Sequence, residues 1–333
     1  MELTVFIILC VLGLITILLE NKVLLNYLYI PTLLVFLVIV RLNAFVFNGF
    51  EIDILTYAKE MHATSFDVYY LREFIFWFSL RIIYFVTQSE IYSFIILDLF
   101  WIYILLKTIS MADSQKFGKG MIVVLVTCFP FLFGYENIYR QFYATVVLLY
   151  AYSIINIRPI KSILIFIISI FIHNLSLFII PLFVIRKCYK FNLRDRVFLS
   201  TLFAFIYVLC LPLLMSLKDA DPTKVDLSYL YLFLFLILFM FFIYKFKENV
   251  YYFVKNIPSL LPISIFIFGT VLHKQEMITE RLGMMFIPFL LYDLYLFSSK
   301  ITNSLKRRLF RLILLIVFTL PVFLFSSSMI FLI

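Results

Sequence analysis

The strongest constraint on this chain is a series of long apolar runs that recur from one end to the other. A helix that spans a bilayer needs about 20 predominantly apolar residues, and several runs approach that length. Their continuity argues against an outer-membrane barrel, whose strands alternate apolar and polar residues. The runs predict an all-α polytopic membrane protein with about ten to twelve transmembrane helices. The clear runs are Leu3–Leu19, Val23–Val40, Ile91–Leu106, Met121–Gly134, Tyr139–Ile155, Ser162–Ile185, Val197–Leu217, Leu227–Tyr244, Leu260–Leu272, Leu282–Phe297 and Leu309–Phe325, with an interrupted run at Phe74–Val86.

Composition supports the same class, since 65% of the 333 residues are hydrophobic and 14% are charged. A soluble domain carries about 45–50% apolar and about 25% charged residues. A soluble enzyme, a disordered chain and a secreted disulfide module are therefore excluded. No loop is long enough for a separate soluble domain, so residues 1–333 are predicted to form a single integral membrane domain.

The net charge of +9 is explained by basic loops on one side of the membrane. Such loops are typical of the cytoplasmic side, so no nucleic-acid partner is inferred. The outer face is then predicted to hold residues 135–140, 218–226 and 273–281. The basic loops are Lys107–Lys119, Arg158–Lys161, Arg186–Arg196, Lys245–Lys255 and Lys300–Arg311.

Two segments do not fit simple alternation across the membrane. The run Ser162–Ile185 has basic loops at both ends and contains His173 and Asn174 near its middle, so we expect a broken, re-entrant-like hairpin. Residues 41–90 are expected on the outer face with an interfacial helix at 74–86, because charged residues there would be costly in lipid. In the alternative, that helix spans the membrane and 41–70 becomes cytoplasmic.

Ionisable residues at membrane depth are candidates for function. Glu136 and Arg140 are four residues apart and could form an ion pair on one helix face, or Arg140 could bind a phosphate. His173 interrupts an otherwise uncharged run, which suits either a structural histidine or a general base. Asp98 and Asp293 lie inside apolar runs, where we expect each to have a structural partner.

Two further stretches combine charged and aromatic residues. In residues 273–281, a helix would place Glu276 and Glu280 on one face and Lys274 and Arg281 on the neighbouring face. Such a segment could bind phosphate, or it could be the solvated end of a helix. In residues 51–76, Asp53 and Tyr57 stand four apart near aromatic residues, which suits sugar binding or an interfacial aromatic belt.

Several sequence patterns that would indicate other chemistries are missing from the chain. There is no P-loop, no dinucleotide fingerprint, no zinc-protease motif and no nucleophile-elbow motif. The cysteines are scattered without a C-x-x-C pair, so neither a disulfide framework nor a zinc site is predicted. We expect no cofactor and no metal.

The order of these features resembles the EpsG-like branch of the Wzy-type polysaccharide polymerases. After two helices come Asp53-x-x-x-Tyr57 and an acidic residue, Glu73, that leads an aromatic stretch. Then follow Arg140-Gln141-x-x-Ala144, similar to the Arg-Gln-x-x-Ala stretch of that family, and His173-Asn174-Leu175-Ser176-Leu177. The latter is similar to the family's His-x-Ser-Ala stretch, with one extra residue before the serine. Glu280-Arg281 comes last, before a helix.

The resemblance implies a glycosyltransferase, with a GT-C-like architecture suspected, in a bacterial cytoplasmic membrane and active on its outer face. It implies joining of oligosaccharide repeat units carried on undecaprenyl diphosphate. Partners would be that lipid-linked oligosaccharide, membrane lipid, and a chain-length regulator and flippase of the same pathway. The implied residues are His173 and Glu280 as catalytic groups, Arg140, Arg281 and Lys274 on the diphosphate, and Asp53, Tyr57, Glu73, Glu136, Gln141, Asn174 and Glu276 on the sugars.

Two other functions share the predicted fold class. A flippase or other transporter of lipid-linked saccharide would also use broken helices at membrane depth, but no internal repeat is found. A membrane-bound O-acyltransferase would use His173 and Asn174 to activate a hydroxyl, with its donor reached from the cytoplasm.

Overall fold

The computed structural model describes residues 2–46, 53–63, 73–112, 116–188, 192–216, 256–264, 276–325 and 332. Within these ranges the secondary structure is helical, without strands, as the sequence predicts. The α-helices are α1 (Glu2–Leu19), α2 (Lys22–Leu24), α3 (Ile30–Val46), α4 (Asp53–Met61), α5 (Phe74–Thr87), α6 (Glu90–Ser110), α7 (Met121–Thr127), α8 (Phe129–Glu136), α9 (Tyr139–Ile154), α10 (Pro159–Ile172), α11 (Ile180–Lys187), α12 (Leu193–Ser216), α13 (Glu276–Ser298) and α14 (Ser304–Leu324).

Four of the described helical stretches are long and apolar enough to cross a membrane. They are α1, the stretch Lys22–Phe45, α6 and Arg281–Ser298, and a fifth span forms if α7 and α8 are counted together. These helices confirm the coarse prediction of an all-α protein with membrane-spanning helices. The predicted run Leu227–Tyr244 lies outside the described residues, and the total of ten to twelve spans stays a prediction.

The run predicted at 121–134 forms two helices that meet at an angle of 59°. The break falls at Cys128, whose backbone is extended at φ −71° and ψ 146°. Pro130 explains it, because a proline inside a helix lacks the N–H donor and clashes with the preceding turn. Starting a new helix at Phe129 places Pro130 in the first turn, where neither problem arises.

The break expected at His173 is present. Helix α10 ends at Ile172, His173 is extended at φ −154° and ψ 123°, and a 3-10 helix follows over Asn174–Ile179 before α11. That the run turns back to the same side of the membrane stays a prediction.

By its internal contacts the chain divides into two compact units. Unit 1 comprises Met1–Leu177 and Ser298–Ile333, and unit 2 comprises Phe178–Phe297. In unit 1 every residue of α7 and α8 is buried, as are nearly all those of α9. Helices that are apolar all round belong at the centre of a bundle. Large apolar side chains of α1, α6, α10 and α14 lie on the outside, as lipid contact requires.

Both aspartates inside apolar runs have the structural partners that were expected. In unit 1 the guanidinium of Arg41 donates to Asp98 through Nε at 2.7 Å and Nη2 at 3.2 Å. In unit 2 Arg186 pairs with Asp293, which also accepts a hydrogen bond from the Ser259 backbone N–H at 3.0 Å. Removing one member of such a pair would leave a buried charge without compensation.

Candidate active site

Three charged or titratable side chains from distant parts of the sequence meet in unit 1. The Glu73 carboxylate accepts a hydrogen bond from Arg140 Nη1 at 2.5 Å through Oε2, and its Oε1 is hydrogen-bonded to His173 Nδ1. The backbone N–H of Asn174 donates to the same Oε1 at 3.3 Å. We call Glu73, Arg140 and His173 the site triad. Its members are only 7%, 17% and 10% exposed at their side chains, so the ion pairs are shielded from water.

Glu73 stands at the N-terminal end of α5, which determines where its carboxylate can reach. Its backbone carbonyl accepts hydrogen bonds from the N–H groups of Phe76 and Trp77, which begin the helix. Its side chain does not cap the helix. The carboxylate therefore extends away from α5 toward α9 and the end of α10.

Arg140 lies in the first turn of α9. This turn directly follows Asn137 and Ile138, the two residues that interrupt the helix between α8 and α9. Its guanidinium carbon is 5.0 Å from the ring centroid of Tyr57 and 5.0 Å from that of Trp77. Cation–π contacts of this kind hold a guanidinium in place without neutralising its charge. The Tyr57 hydroxyl donates to Asp53 Oδ2 at 3.2 Å within α4, and the contact of the Tyr57 ring with Arg140 links this helix to the site triad.

His173 is positioned by the helix break. The N–H of His173 still donates to the Ser169 carbonyl, but because α10 ends at Ile172 the N–H of Asn174 leaves the helical pattern and is directed at Glu73. The bond between Nδ1 and Glu73 fixes the plane of the imidazole ring and directs Nε2 to the opposite edge. A carboxylate at one nitrogen is the usual way of orienting a histidine that acts as a base through the other.

The electrostatics of the site triad favour an ionised Glu73. Burial by itself would raise the pKa of the Glu73 carboxyl, but the hydrogen bond from His173 and favourable electrostatic interactions with His173 and Arg140 outweigh it and hold the pKa below its ordinary value. Glu73 thus stays negative at neutral pH. It can stabilise positive charge on both of its partners.

A second buried network supports the start of α9. Asp98 accepts hydrogen bonds from the hydroxyls of Tyr135 at 2.9 Å and Tyr139 at 2.8 Å, and from Trp101 Nε1 at 3.0 Å. Arg41 also donates to the Tyr135 carbonyl at 3.1 Å and stacks over that ring at 3.9 Å. The network holds both sides of the break between α8 and α9 and so positions Arg140.

One of the two interpretations offered for Arg140, an ion pair with Glu136, is wrong. Glu136 does not pair with Arg140, because α8 ends at Glu136 and α9 begins at Tyr139, so the two residues do not share a helix face. Arg140 instead pairs with Glu73. Both carboxylate oxygens of Glu136 are buried and have no hydrogen-bond partner among the described residues.

The remaining predicted residues lie in different situations. Gln141 is buried in α9, and Asn174 has an exposed side chain next to the site triad. The hydroxyl of Ser176 is buried and donates to the Ser169 carbonyl at 2.9 Å, which is a structural role. Arg281 is half-buried in α13 of unit 2. Lys274 and the side chains of Glu276 and Glu280 lie outside the described residues.

Two contributors to the site were not among the predicted site residues. Trp77 belongs to the aromatic stretch that follows Glu73, and it lies four residues, about one helical turn, after that glutamate. Arg41 was read as the start of an outer segment, yet it lies inside α3 and is fully buried. Within the described ranges, no group of three or more His, Cys, Asp and Glu side chains is arranged to hold a metal ion.

The comparisons with known proteins add no assignment to this geometry. No protein-family model, no curated protein and no solved structure matches the chain. What the site can do is therefore inferred from its own residues and their contacts.

Proposed function

We propose that this protein is a polymerase-type glycosyltransferase of a bacterial cytoplasmic membrane. It would join oligosaccharide repeat units carried on undecaprenyl diphosphate into a surface polysaccharide, on the outer face. The observation that carries the proposal is the site triad. A histidine oriented by a carboxylate stands beside an arginine held by aromatic rings, within a protein that spans a membrane.

The reaction needs a base and an anion-binding group, and the site triad supplies both. His173 Nε2 takes the proton from a hydroxyl of the acceptor sugar. The hydroxyl oxygen forms a bond to the anomeric carbon of the donor, and the bond between that carbon and the lipid diphosphate oxygen breaks. The diphosphate leaves with the electron pair, and the proton stays on His173 until it passes to water.

Arg140 is the group suited to the leaving diphosphate. Guanidinium presents several N–H donors in a plane that matches phosphate oxygens. The Arg140 side chain is the most exposed member of the site triad, which makes it the one most accessible to a substrate. Preorganised positive charge at a leaving group is usually the largest catalytic contribution.

Glu73 and Tyr57 are better suited to positioning than to the sugar binding that the resemblance implies. Both carboxylate oxygens of Glu73 are engaged by the protein. Tyr57 is buried and faces Arg140 with its ring. Asp53, which is half-buried, and Asn174, which is exposed, remain the side chains placed to contact sugars. Arg281, Lys274, Glu276 and Glu280 stay proposals from the resemblance alone.

The test replaces His173 or Arg140 with alanine in cells of the source organism and measures the length of the surface glycan by gel electrophoresis. Membrane abundance of each variant is measured in parallel by immunoblotting. The matched controls are His62→Ala, which removes an exposed histidine outside the site triad, and Arg158→Ala, which removes an exposed arginine from a basic loop. Each control has the same residue change without the site geometry.

We expect long glycan chains to collapse to single repeat units in both site variants while the controls keep long chains. Long chains in both site variants at normal abundance would exclude the proposed roles of these residues. Loss of single units from the outer surface, with lipid-linked units retained inside, would favour the transporter. Chains of normal length that lack O-acetyl groups would favour the acyltransferase.

A further inference from the structure

A second cluster of charge lies at the end of unit 1 where α14 begins. One carboxylate, that of Glu20, receives three guanidinium groups. Arg307 donates to both of its oxygens at 2.9 and 2.8 Å, Arg311 donates at 2.8 Å, and Arg308 Nε lies 3.7 Å away. Three positive charges on one negative charge leave an excess of about two positive charges at this end.

Two of the three arginines form the frame of this cluster. Arg311 is fully buried and also donates to Ser298 Oγ at 2.7 Å and to the Lys116 carbonyl at 2.6 Å. Arg307 is nearly as buried and donates to the Ile301 carbonyl at 3.3 Å. Their donors are directed at protein groups, which fixes their positions.

Arg308 differs from the other two arginines. Its side chain is 39% exposed, its distance to Glu20 exceeds a hydrogen bond, and its Nε makes no hydrogen bond within the described part of the chain. It lies directly after the first turn of α14, residues 304–307, near the helix end whose dipole attracts anions. That turn contains no acidic residue.

Exposed lysines belong to the segments that form this cluster. Lys306 precedes Arg308 by two residues, Lys22 follows Glu20 by two, Lys116 provides the carbonyl that Arg311 contacts, and Lys300 precedes Ile301, whose carbonyl Arg307 contacts. The loops that contain Lys116 and Arg311 were predicted to lie on the same side of the membrane, and they meet here. Such a concentration of basic side chains at a membrane surface suits a phosphate group.

An apolar stripe leads away from this basic end along the outside of α14. It consists of exposed residues at offsets of four, seven and four, which share one helix face: Leu305, Leu309, Ile316 and Leu320. Arg308 is three residues from Leu305 and borders the same face. The basic end and the apolar stripe are therefore adjacent on one helix.

We propose that the start of α14 binds an anionic phospholipid. Arg308 holds the phosphate, exposed lysines including Lys306 complete the charge, and an acyl chain packs along the apolar stripe of α14. A zwitterionic lipid fits less well, because its own cationic group would face the excess positive charge. A free phosphate ion would satisfy the basic groups but would leave the stripe uncovered.

The test uses the full-length protein purified in detergent and titrated with dioleoylphosphatidylglycerol, dioleoylphosphatidylcholine or inorganic phosphate at constant ionic strength. Native mass spectrometry counts bound lipid, and the thermal midpoint is recorded at each concentration. The double variant Lys306→Gln/Arg308→Gln removes two exposed charges. The matched control Arg158→Gln/Lys161→Gln removes an exposed arginine and lysine from another loop. Arg308→Lys keeps the charge and loses the guanidinium.

We expect phosphatidylglycerol to bind more tightly than phosphatidylcholine and to raise the thermal midpoint of the native protein. Each basic side chain at a membrane surface contributes about a 5-fold gain in affinity, so the double variant should bind about 30-fold more weakly. The control variant and Arg308→Lys should bind within a few-fold of the native protein. Equal weakening in the control variant, or equal binding of both lipids, would overturn the proposal. Full competition by inorganic phosphate would assign the site to a soluble anion instead.

Discussion

Replacing Glu73 with glutamine is the sharpest test of how the site triad works. The change keeps the shape of the side chain but removes the charge that both partners share. An amide has one acceptor oxygen, so it can accept from His173 or from Arg140 but not from both. If the oxygen faces His173, the amide NH₂ meets Arg140 Nη1, which lies only 2.5 Å from Oε2 in the native protein. Two donors at that distance repel each other.

The size of the effect follows from the number of bonds lost. A hydrogen bond to a charged group contributes about 1.5–3 kcal/mol. The Glu73 carboxylate makes two such side-chain bonds, one with His173 and one with Arg140. Glutamine keeps an acceptor for only one of the two partners, so the other bond is lost in the transition state at a cost of about 1.5–3 kcal/mol. Because about 1.4 kcal/mol corresponds to a factor of 10 in rate, polymerisation should slow by about 10–10²-fold.

The rate can be measured on the native substrate without identifying its sugars. Lipid-linked units that accumulate in cells lacking the protein are extracted and supplied to membranes that contain each variant. Chain growth per unit of protein is then followed by gel electrophoresis. The matched control is Glu90→Gln, since Glu90 also pairs with a histidine, His62, at 2.5 Å but on an exposed surface. That change should leave the rate within a few-fold of native.

A double variant shows whether Glu73 acts through His173. If the two residues work as a unit, Glu73→Gln combined with His173→Gln should be no slower than His173→Gln alone. Losses that multiply would refute the positioning role. So would a Glu73→Gln protein of normal abundance that polymerises at the native rate.

Three further predictions concern stability and pH, each measured by thermal unfolding in detergent. Asp98→Asn should destabilise unit 1 by about 3–5 kcal/mol, because Arg41 is fully buried and would lose its counter-charge; a change below about 1 kcal/mol would show that the network tolerates the loss. Gly13→Ala should cost about 1–3 kcal/mol, because the added Cβ would lie 2.7 Å from Val123 Cγ1; unchanged stability would mean that α1 and α7 can move apart. Glu73 has a pKa below its ordinary value of 4.5 in the folded protein, so its contribution is present above about that pH and is lost as the pH falls further. Between pH 5 and pH 3 the native protein should therefore lose more stability than Glu73→Gln, and equal slopes would contradict the assignment.

Sequence reasoning succeeded where local sequence alone decides the structure. Apolar runs identify membrane helices because the thickness of the bilayer sets their length. His173 marks a helix break because polar side chains interrupt an apolar run there. The grouping of Asp53, Tyr57, Arg140 and His173 was anticipated through the order of motifs. Their actual contacts were not, because ion pairing depends on which helices pack together.

The ion pair considered for Glu136 and Arg140 shows where residue spacing fails as a guide to contacts. A separation of four residues predicts contact only if the helix is continuous between them. Here Asn137 and Ile138 separate α8 from α9, so the guanidinium turns to a carboxylate 67 positions earlier in the chain. Arg41 escaped notice for a related reason, since its counter-charge, Asp98, lies on another helix.

The helix breaks of unit 1 explain why the site lies where it does. In a membrane helix the backbone N–H groups are consumed by the carbonyls of the preceding turn, so an intact span offers no backbone donor to a functional group. The break after Ile172 releases the N–H of Asn174 for Glu73, and the break after Glu136 brings Arg140 into the first turn of α9. Each break would be costly in lipid, yet backbone groups next to it find partners within the protein, such as Glu73 for the Asn174 N–H and Arg41 for the Tyr135 carbonyl. The same residues that interrupt the helices therefore create the polar environment in which a histidine and an arginine can work.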